Sequence, residues 1–161
     1  MIVCGIDPGI GVTGYAVLCT DAPPSILDAG IFATDAKAPL AHRLMQLADD
    51  FSQVMTQWQP AWVGLEALYA HYNHPRTAIQ MAHARGVLMQ TAARLGAQVQ
   101  SFSATHIKRY LTGNGRAGKP QVQRAVQTVF NLTEPPEPND VADAIAAAYC
   151  CMRETPAEAA R

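Results

Sequence analysis

The spacing of three apolar runs at the start of the chain is the strongest constraint on its fold. Ile2–Asp7 and Thr13–Cys19 are predicted strands on either side of a Gly-rich turn, DPGIGV, and Ile26–Thr34 is a predicted third strand. Connections this short cannot carry a crossover, because two parallel strands need a dozen or more residues between them. We therefore expect these strands to pair as antiparallel neighbours.

The rest of the chain alternates helices with strands. Apolar residues recur at helical spacing over Leu40–Trp58, which predicts an amphipathic helix that Pro60 ends. The later predicted elements are a strand over 61–66, a helix over Pro75–Leu95, a strand over 97–102, and helices over 103–111, 119–130 and 140–152. Ser103 and Asn139 are the expected N-caps of the first and last of these three helices. This order indicates an α/β fold with a mixed five-stranded sheet and helices on both faces.

The length of 161 residues suits one domain. We expect a single domain over residues 1–153 and a disordered tail over 154–161. No apolar run approaches the length of a membrane span, and the N-terminus lacks the features of a signal peptide. Four cysteines without metal-ligand spacing predict buried free thiols in a cytoplasmic protein; they are Cys4, Cys19, Cys150 and Cys151.

Charge is unevenly distributed, although the net charge is only −1. No acid occurs between Ala67 and Thr133. The cations of this stretch are Arg76, Arg85, Arg94, Lys108, Arg109, Arg116, Lys119 and Arg124. Such a block is typical of a surface kept positive for a polyanion. The alternative is that the acids are missing by chance, in a stretch that includes an Ala/Gln-rich helix.

Four carboxylates occupy positions that can converge. Asp7 and Glu66 end predicted strands, and their side chains meet at one sheet edge if those strands are parallel neighbours. Asp140 and Asp143 share one face of the last helix, where the dipole favours ionised acids. Each acid alone also has a purely structural explanation. Asp7 can be a turn former and Glu66 an exposed acid at a strand end, and the two acids of the helix can simply complement its dipole. Together they predict a site for Mg²⁺, and two such ions can support phosphodiester hydrolysis.

Five segments carry a resemblance to a known family. They are GIDPGIGVTGYAV, LEALYAHYN, TAIQMAHARGV, IKRYLTGNGRAGKPQVQ and NDVADAIAAA. In these segments the chain resembles the RuvC family of Holliday-junction resolvases, which have the ribonuclease-H-like (retroviral-integrase-like) fold. The motifs cover most of the chain in the family's order and spacing.

The resemblance implies a structure-selective endonuclease of homologous recombination and DNA repair. Its catalytic and metal-binding acids would be Asp7, Glu66, Asp140 and Asp143, with two Mg²⁺ ions per site for which Mn²⁺ can substitute. Paired nicks in a four-way DNA junction would leave 5′-phosphate and 3′-hydroxyl ends. The implied partners are a second copy of the chain and the RuvAB branch-migration motor complex.

The resemblance also implies a set of DNA contacts. Lys108 and Lys119 are expected beside the scissile phosphate, and Tyr69 is expected to touch junction bases, with Tyr72 as a rival for that role. Arg76 and Arg116 complete the predicted DNA-binding set.

The Pro75–Leu95 helix predicts a homodimer independently of the resemblance. Its apolar or small residues surround more of the helix than one sheet can cover; they include Ile79, Ala82, Val87, Met89 and Ala93.

Two other functions fit parts of the sequence. The strand–DPGIGVTG–strand start also resembles the phosphate hairpin of the actin and hexokinase ATPases, which close two such domains over ATP. A non-catalytic junction-binding module is the second alternative, and loss of any of the four acids would favour it.

Overall fold

Ten helices and strands organise the part of the chain that the computed structural model describes, residues 1–68 and 75–156. In chain order they are β1 (Ile2–Asp7), β2 (Val12–Cys19), β3 (Ser25–Ala33), α1 (Leu40–Trp58), β4 (Trp62–Glu66), α2 (Pro75–Arg94), β5 (Gln98–Phe102), α3 (Ala104–Thr112), α4 (Lys119–Val129) and α5 (Asn139–Glu154). None of the helices described is long and apolar enough to cross a membrane.

The strands form one mixed sheet in the order β3-β2-β1-β4-β5. The pairs β1–β2 and β2–β3 are antiparallel, as the short connections predict. The pairs β1–β4 and β4–β5 are parallel, and each is reached through a helical connection. The predicted mixed five-stranded sheet is therefore confirmed.

Helices cover both faces of this sheet. On one face, Ile6 of β1 packs in a core with Phe51 of α1 and Leu88 of α2. On the other face, Val3 of β1 packs with Ile145 of α5. The helices α3 and α4 lie on the α5 side, where they share a third core cluster with that helix.

Two glycines allow α5 to lie directly against the strands. A Cβ atom at Gly5 would stand under 3.0 Å from the carbonyl oxygen of Ala144 and the backbone of Ala148. One at Gly14 would stand under 3.0 Å from the carbonyl oxygen of Asp140. Because the opposing atoms are backbone, no side-chain movement can relieve such contacts. The position of α5 along β1 and β2 is thereby fixed.

Both ends of α5 differ from the prediction. Pro138 is the N-cap, and its side chain has no acceptor with which to make a cap hydrogen bond, whereas Asn139 already belongs to the first helical turn. The predicted cap at Asn139 is therefore wrong, whereas Ser103 caps α3 by accepting from the backbone N–H of His106. The helix α5 continues to Glu154, and buried Thr155 donates its hydroxyl to the carbonyl oxygen of Cys151 over 2.8 Å.

Glu154 and Thr155 are thus ordered, although the predicted tail begins at residue 154. The remainder of that tail from residue 157 lies outside the described residues.

The contact at Gly5 predicts a large and local effect on stability. Gly5→Ala should lower the free energy of unfolding by about 1–3 kcal/mol or more, because the added methyl overpacks the α5 backbone. Gly86→Ala is the matched control, since a Cβ there meets nothing within 4 Å and improves helix propensity in α2. Urea titration of both variants measures the difference. Wild-type stability of Gly5→Ala would contradict this account of the packing.

Candidate active site

The alternation of side chains along β1 directs Asp7 toward α5. Cys4 and Ile6 join the core under α1 and α2. Gly5, between them, faces the α5 backbone. Since successive residues of a strand point to opposite faces, Asp7 lies on the α5 side.

The strand β4 places Glu66 on the same side. Val63 and Leu65 belong to the core beneath α1 and α2, and the Cβ position of Gly64 would stand 2.7 Å from the Cβ of Cys151 on α5. Glu66 therefore follows on the α5 face. Because β1 and β4 are parallel neighbours with Ile6 opposite Leu65, the carboxylates of Asp7 and Glu66 end adjacent strands at one sheet edge.

The first turns of α5 bring the other two acids to this edge. Asp7 pairs with Gly14 in the β1–β2 ladder. The Cβ position of Gly14 would stand 3.2 Å from the Cβ of Asp140, so Asp140 lies over the strand next to Asp7. Asp143 follows one helical turn later.

The pKa values show that these acids share one electrostatic environment. Burial first, and then the carboxylates of Glu66, Asp143 and Asp140, raise the pKa of Asp7 from 3.8 to about 8. Burial followed by Asp143 raises the pKa of Glu66. The pKa of Asp143 is also raised, first by burial. Several half-buried like charges in one place are unfavourable unless a cation joins them.

Two lysines face the acids from α3 and α4. Lys108 lowers the pKa values of Glu66 and Asp143. Lys119, the first residue of α4, lowers the pKa values of Asp7 and Asp143. The structure therefore brings Lys108 and Lys119 to the same site as the carboxylates, where their ammonium groups can meet a bound anion.

The other predicted DNA contacts are not placed at this site. Arg76 is exposed in the first turn of α2, and Arg116 is exposed in the segment between α3 and α4. Neither is among the groups that shift the pKa values of Asp7, Glu66 or Asp143. Tyr69 and its rival Tyr72 lie outside the described residues.

The donor set fits hard divalent cations. All four side chains offer carboxylate oxygen, the ligand that Mg²⁺ prefers. Within the described chain, no three of these acids bring their ligand atoms within 4.8 Å of one another. Such an open arrangement suits ions that retain several water ligands, as Mg²⁺ does.

Arg43 anchors the turn that follows Asp7, a role that the sequence reasoning missed. This arginine is buried on α1; its Nε donates to the hydroxyl of Thr34 over 3.0 Å and its Nη2 to the carbonyl of Ile10 over 3.0 Å. A signal was available, because Arg43 lies four residues before Leu47 on the buried stripe of the helix.

Arg85 supports the end of β4 and was also missed as a structural contact. Its Nε donates to the carbonyl oxygen of Glu66 over 3.3 Å, and its Nη2 donates to the hydroxyl of Ser101 on β5. The helix α2 is thereby tied to the backbone of an acid at the site. The sequence shows only that Arg85 belongs to the acid-free block, because its partners come from other elements.

The sheet order and the carboxylate cluster define a protein of ribonuclease-H-like fold with a site suited to divalent cations. The family model described as "Crossover junction endodeoxyribonuclease RuvC" matches residues 3–151, and the chain belongs to this family.

Relatives and solved structures agree with this assignment. The crossover junction endodeoxyribonuclease RuvC of Rhodopirellula baltica is 43% identical over 149 residues, which are 92% of this chain and 84% of that protein. The protein of the same name from Alkaliphilus oremlandii is 35% identical, over 93% of this chain and 92% of its own. The Thermus thermophilus RuvC structure matches with a TM-score of 0.85 at 27% identity, covering 93% and 92% of the two chains.

The fold prediction is confirmed by these matches, and the chain is a nuclease. The family match decides against the ATPase phosphate hairpin, and the relatives' names, all of endodeoxyribonucleases, decide against a non-catalytic module.

Asp7 should make the metal-free protein less stable as the pH rises. Its pKa is about 8 in the folded state against an ordinary value of 3.8, so in this interval the folded state holds a proton that the unfolded chain has lost. The free energy of unfolding, measured by urea titration in EDTA, should therefore fall between about pH 4 and about pH 8. The raised pKa values of Glu66 and Asp143 act with the same sign.

Asp7→Asn isolates the contribution of this carboxyl group. The variant should show a shallower pH dependence and exceed the wild type by about 1–3 kcal/mol at pH 8, because it cannot ionise. Asp49→Asn, on the exposed side of α1, should retain the wild-type slope. An unchanged slope in Asp7→Asn would show that Asp7 titrates as an ordinary acid.

Proposed function

We propose that this nuclease resolves four-way DNA junctions through paired, metal-dependent nicks in recombination and repair. The observation that carries the proposal is the convergence of half-buried, mutually repelling carboxylates from β1, β4 and α5 with Lys108 and Lys119. The names of its relatives support the reaction. A Thermus thermophilus RuvC structure is described as a complex with Holliday junction substrate, and it matches this fold with a TM-score of 0.84 at 24% identity.

Mg²⁺ is the proposed cofactor, with two ions per site and Mn²⁺ as a substitute. When bound, such ions supply a more acidic water and stabilise the charge of the leaving oxygen. Asp7, Glu66, Asp140 and Asp143 would hold them. Hydrolysis then breaks the bond to the 3′ oxygen, which leaves 3′-hydroxyl and 5′-phosphate ends.

The remaining proposed DNA contacts have two kinds of chemistry. Lys108, Lys119, Arg76 and Arg116 would bind phosphates through charge. Tyr69 would stack on an unpaired base at the crossover, a contact worth about 1–3 kcal/mol per base.

A homodimer is the proposed assembly, because paired nicks need two sites related by twofold symmetry. The inner side of α2 is buried through Ala84, Leu88 and Ala92, whereas Ile79 is 59% exposed on its outer side. This surplus apolar surface supports an interface between two copies of α2.

The proposed cellular setting is the cytoplasm, with the RuvAB branch-migration motor complex as a partner. Four free cysteines, three of them buried, are consistent with a reducing compartment. The motor complex is proposed from the family resemblance alone.

Removing one carboxylate should separate cleavage from binding. Asp7→Asn, Glu66→Gln or Asp143→Asn should slow cleavage of a synthetic four-way junction in Mg²⁺ by more than about 100-fold, since even groups that only orient metal ligands are worth about 10–100-fold. Junction binding should persist in a mobility-shift assay, because each amide removes repulsion toward phosphate. Asp49→Asn is the control. Normal cleavage by any of the three variants would remove that acid from the metal site.

Salt dependence should distinguish the lysines from Tyr69. Lys108→Ala or Lys119→Ala should lower the slope of log affinity against log salt concentration by about one unit, because one phosphate contact is lost. Tyr69→Ala should weaken cleavage with the wild-type slope, and Tyr69→Phe should retain most activity because stacking does not need the hydroxyl. Lys37→Ala, in the exposed segment before α1, is the control. Normal cleavage by Tyr69→Ala would leave the stacking role to Tyr72 or abolish it.

The dimer can be tested with two matched surface substitutions. Sedimentation at micromolar concentration should give the mass of two chains. Ile79→Glu on α2 should give one chain and lose paired incision, because it buries an unpaired charge at the interface. Met45→Glu on α1 starts from the same 59% exposure and should remain dimeric. A monomeric wild type would overturn the proposed interface.

A further inference from the structure

A second group of ligand-type side chains lies at the far end of α5 from the four acids. It consists of His106 on α3 together with Cys150 and Glu154 on α5, hereafter the His–Cys–Glu cluster. Their imidazole nitrogen, thiol sulfur and carboxylate oxygen all lie within 4.8 Å of one another, and no other such trio occurs in the described part of the chain. We propose that this cluster binds a transition-metal ion of the zinc class.

The local structure directs the three side chains to one point. Cys150 and Glu154 are four residues apart, so they occupy one face of α5. The imidazole of His106 stacks on Phe102 with ring centroids 6.0 Å apart, and Tyr110 lies against it at 5.3 Å. This packing directs its Nε2 to within 2.5 Å of the Oε1 of Glu154.

The donor set selects a different ion from the catalytic site. Nitrogen, sulfur and oxygen ligands suit borderline-soft Zn²⁺, whereas the four acids offer only hard oxygen. Tetrahedral Zn²⁺ with bonds of about 2.0–2.3 Å holds its ligand atoms roughly 3.4–3.7 Å apart. To reach this geometry, His106 and Glu154 would separate by about 1 Å, with the sulfur of Cys150 already within 4.8 Å of both ligand atoms. Water would fill the fourth position.

Access and proton balance are consistent with metal entry. The side chains of His106 and Glu154 are 41% and 24% exposed, so the ion can approach from solvent to the buried sulfur of Cys150. Burial first, and then the Glu154 carboxylate, raise the pKa of the Cys150 thiol to about 12. Metal binding must therefore displace this proton, which passes to solvent as the sulfur–zinc bond forms.

The His–Cys–Glu cluster is separate from the nuclease site but shares two helices with it. Cys150 lies seven residues beyond Asp143, roughly 10 Å along α5. His106 lies two residues before Lys108 on α3. A bound ion would therefore brace α3, and the lysine it carries, against the end of α5.

Cobalt provides the direct test, because Co²⁺ replaces Zn²⁺ with a visible spectrum. Titration of the purified protein with Co²⁺ should give a near-ultraviolet thiolate-to-cobalt band and intense tetrahedral visible bands at one ion per chain. Zn²⁺ should abolish both, and millimolar Mg²⁺ should not. Cobalt bound to the carboxylates of the nuclease site produces no thiolate band, so the two sites are distinguishable.

Matched variants assign the ligands. Cys150→Ser should lose the thiolate band, whereas Cys19→Ser, which changes a free thiol on β2, should retain it. Glu154→Gln keeps a hydrogen-bond acceptor for His106 but is a weaker ligand, and cobalt affinity should fall at least tenfold. If Cys150→Ser does not fold, Glu154→Gln tests the proposal by itself, because the side chain of Glu154 is partly exposed. Absence of the band in the wild type, or wild-type affinity in Glu154→Gln, would overturn the proposal.

Discussion

The backbone contact between α5 and the sheet is the constraint on which the site depends. Gly5 and Gly14 remove the side chains that would otherwise hold the helix away from β1 and β2. The carbonyl oxygen of Asp140 itself lies against Gly14, so the first turn of α5 is positioned by backbone atoms. Because backbone cannot change rotamer, the relation between Asp7 and the two helical acids has little freedom. The fold thus supplies the precision that a multi-carboxylate metal site requires.

This precision has an electrostatic cost in the metal-free protein. The raised pKa values of Asp7, Glu66 and Asp143 show that burial and mutual repulsion disfavour their charged forms. Lys108 and Lys119 offset part of that repulsion without entering an ion pair within the described residues. Hydrogen bonds from the guanidinium groups of Arg43 and Arg85 to neutral oxygens hold the adjoining backbone. The adjoining backbone therefore keeps the acids in place, and the repulsion between their carboxylates favours the binding of cations.

Periodicity and connection length were sufficient to predict the fold. The short connections between β1, β2 and β3 predicted antiparallel pairing. Asp7 and Glu66 were expected at one sheet edge if β1 and β4 were parallel neighbours, and these two strands are parallel neighbours in the structure. The contacts of Arg43 and Arg85 were not predictable in this way, because their partners are carbonyl and hydroxyl oxygens from distant segments. The cap of α5 was missed because Asn139 and Pro138 are both plausible helix starts, and only backbone geometry separates them. Tyr69 remains a prediction, since it lies outside the described residues.

The two ends of α5 have opposite electrostatic relations to their acids. At the N-terminus, the positive end of the helix dipole favours ionised Asp140 in the first turn. At the C-terminus, the dipole disfavours the carboxylate of Glu154, which lies in the last turn. Glu154 also lies within hydrogen-bond distance of the His106 ring. A cation at the His–Cys–Glu cluster would satisfy the helix end, the carboxylate and the thiolate together. One helix could thus hold hard ions at its first turn and a softer ion at its last, with ligand chemistry separating the two metals.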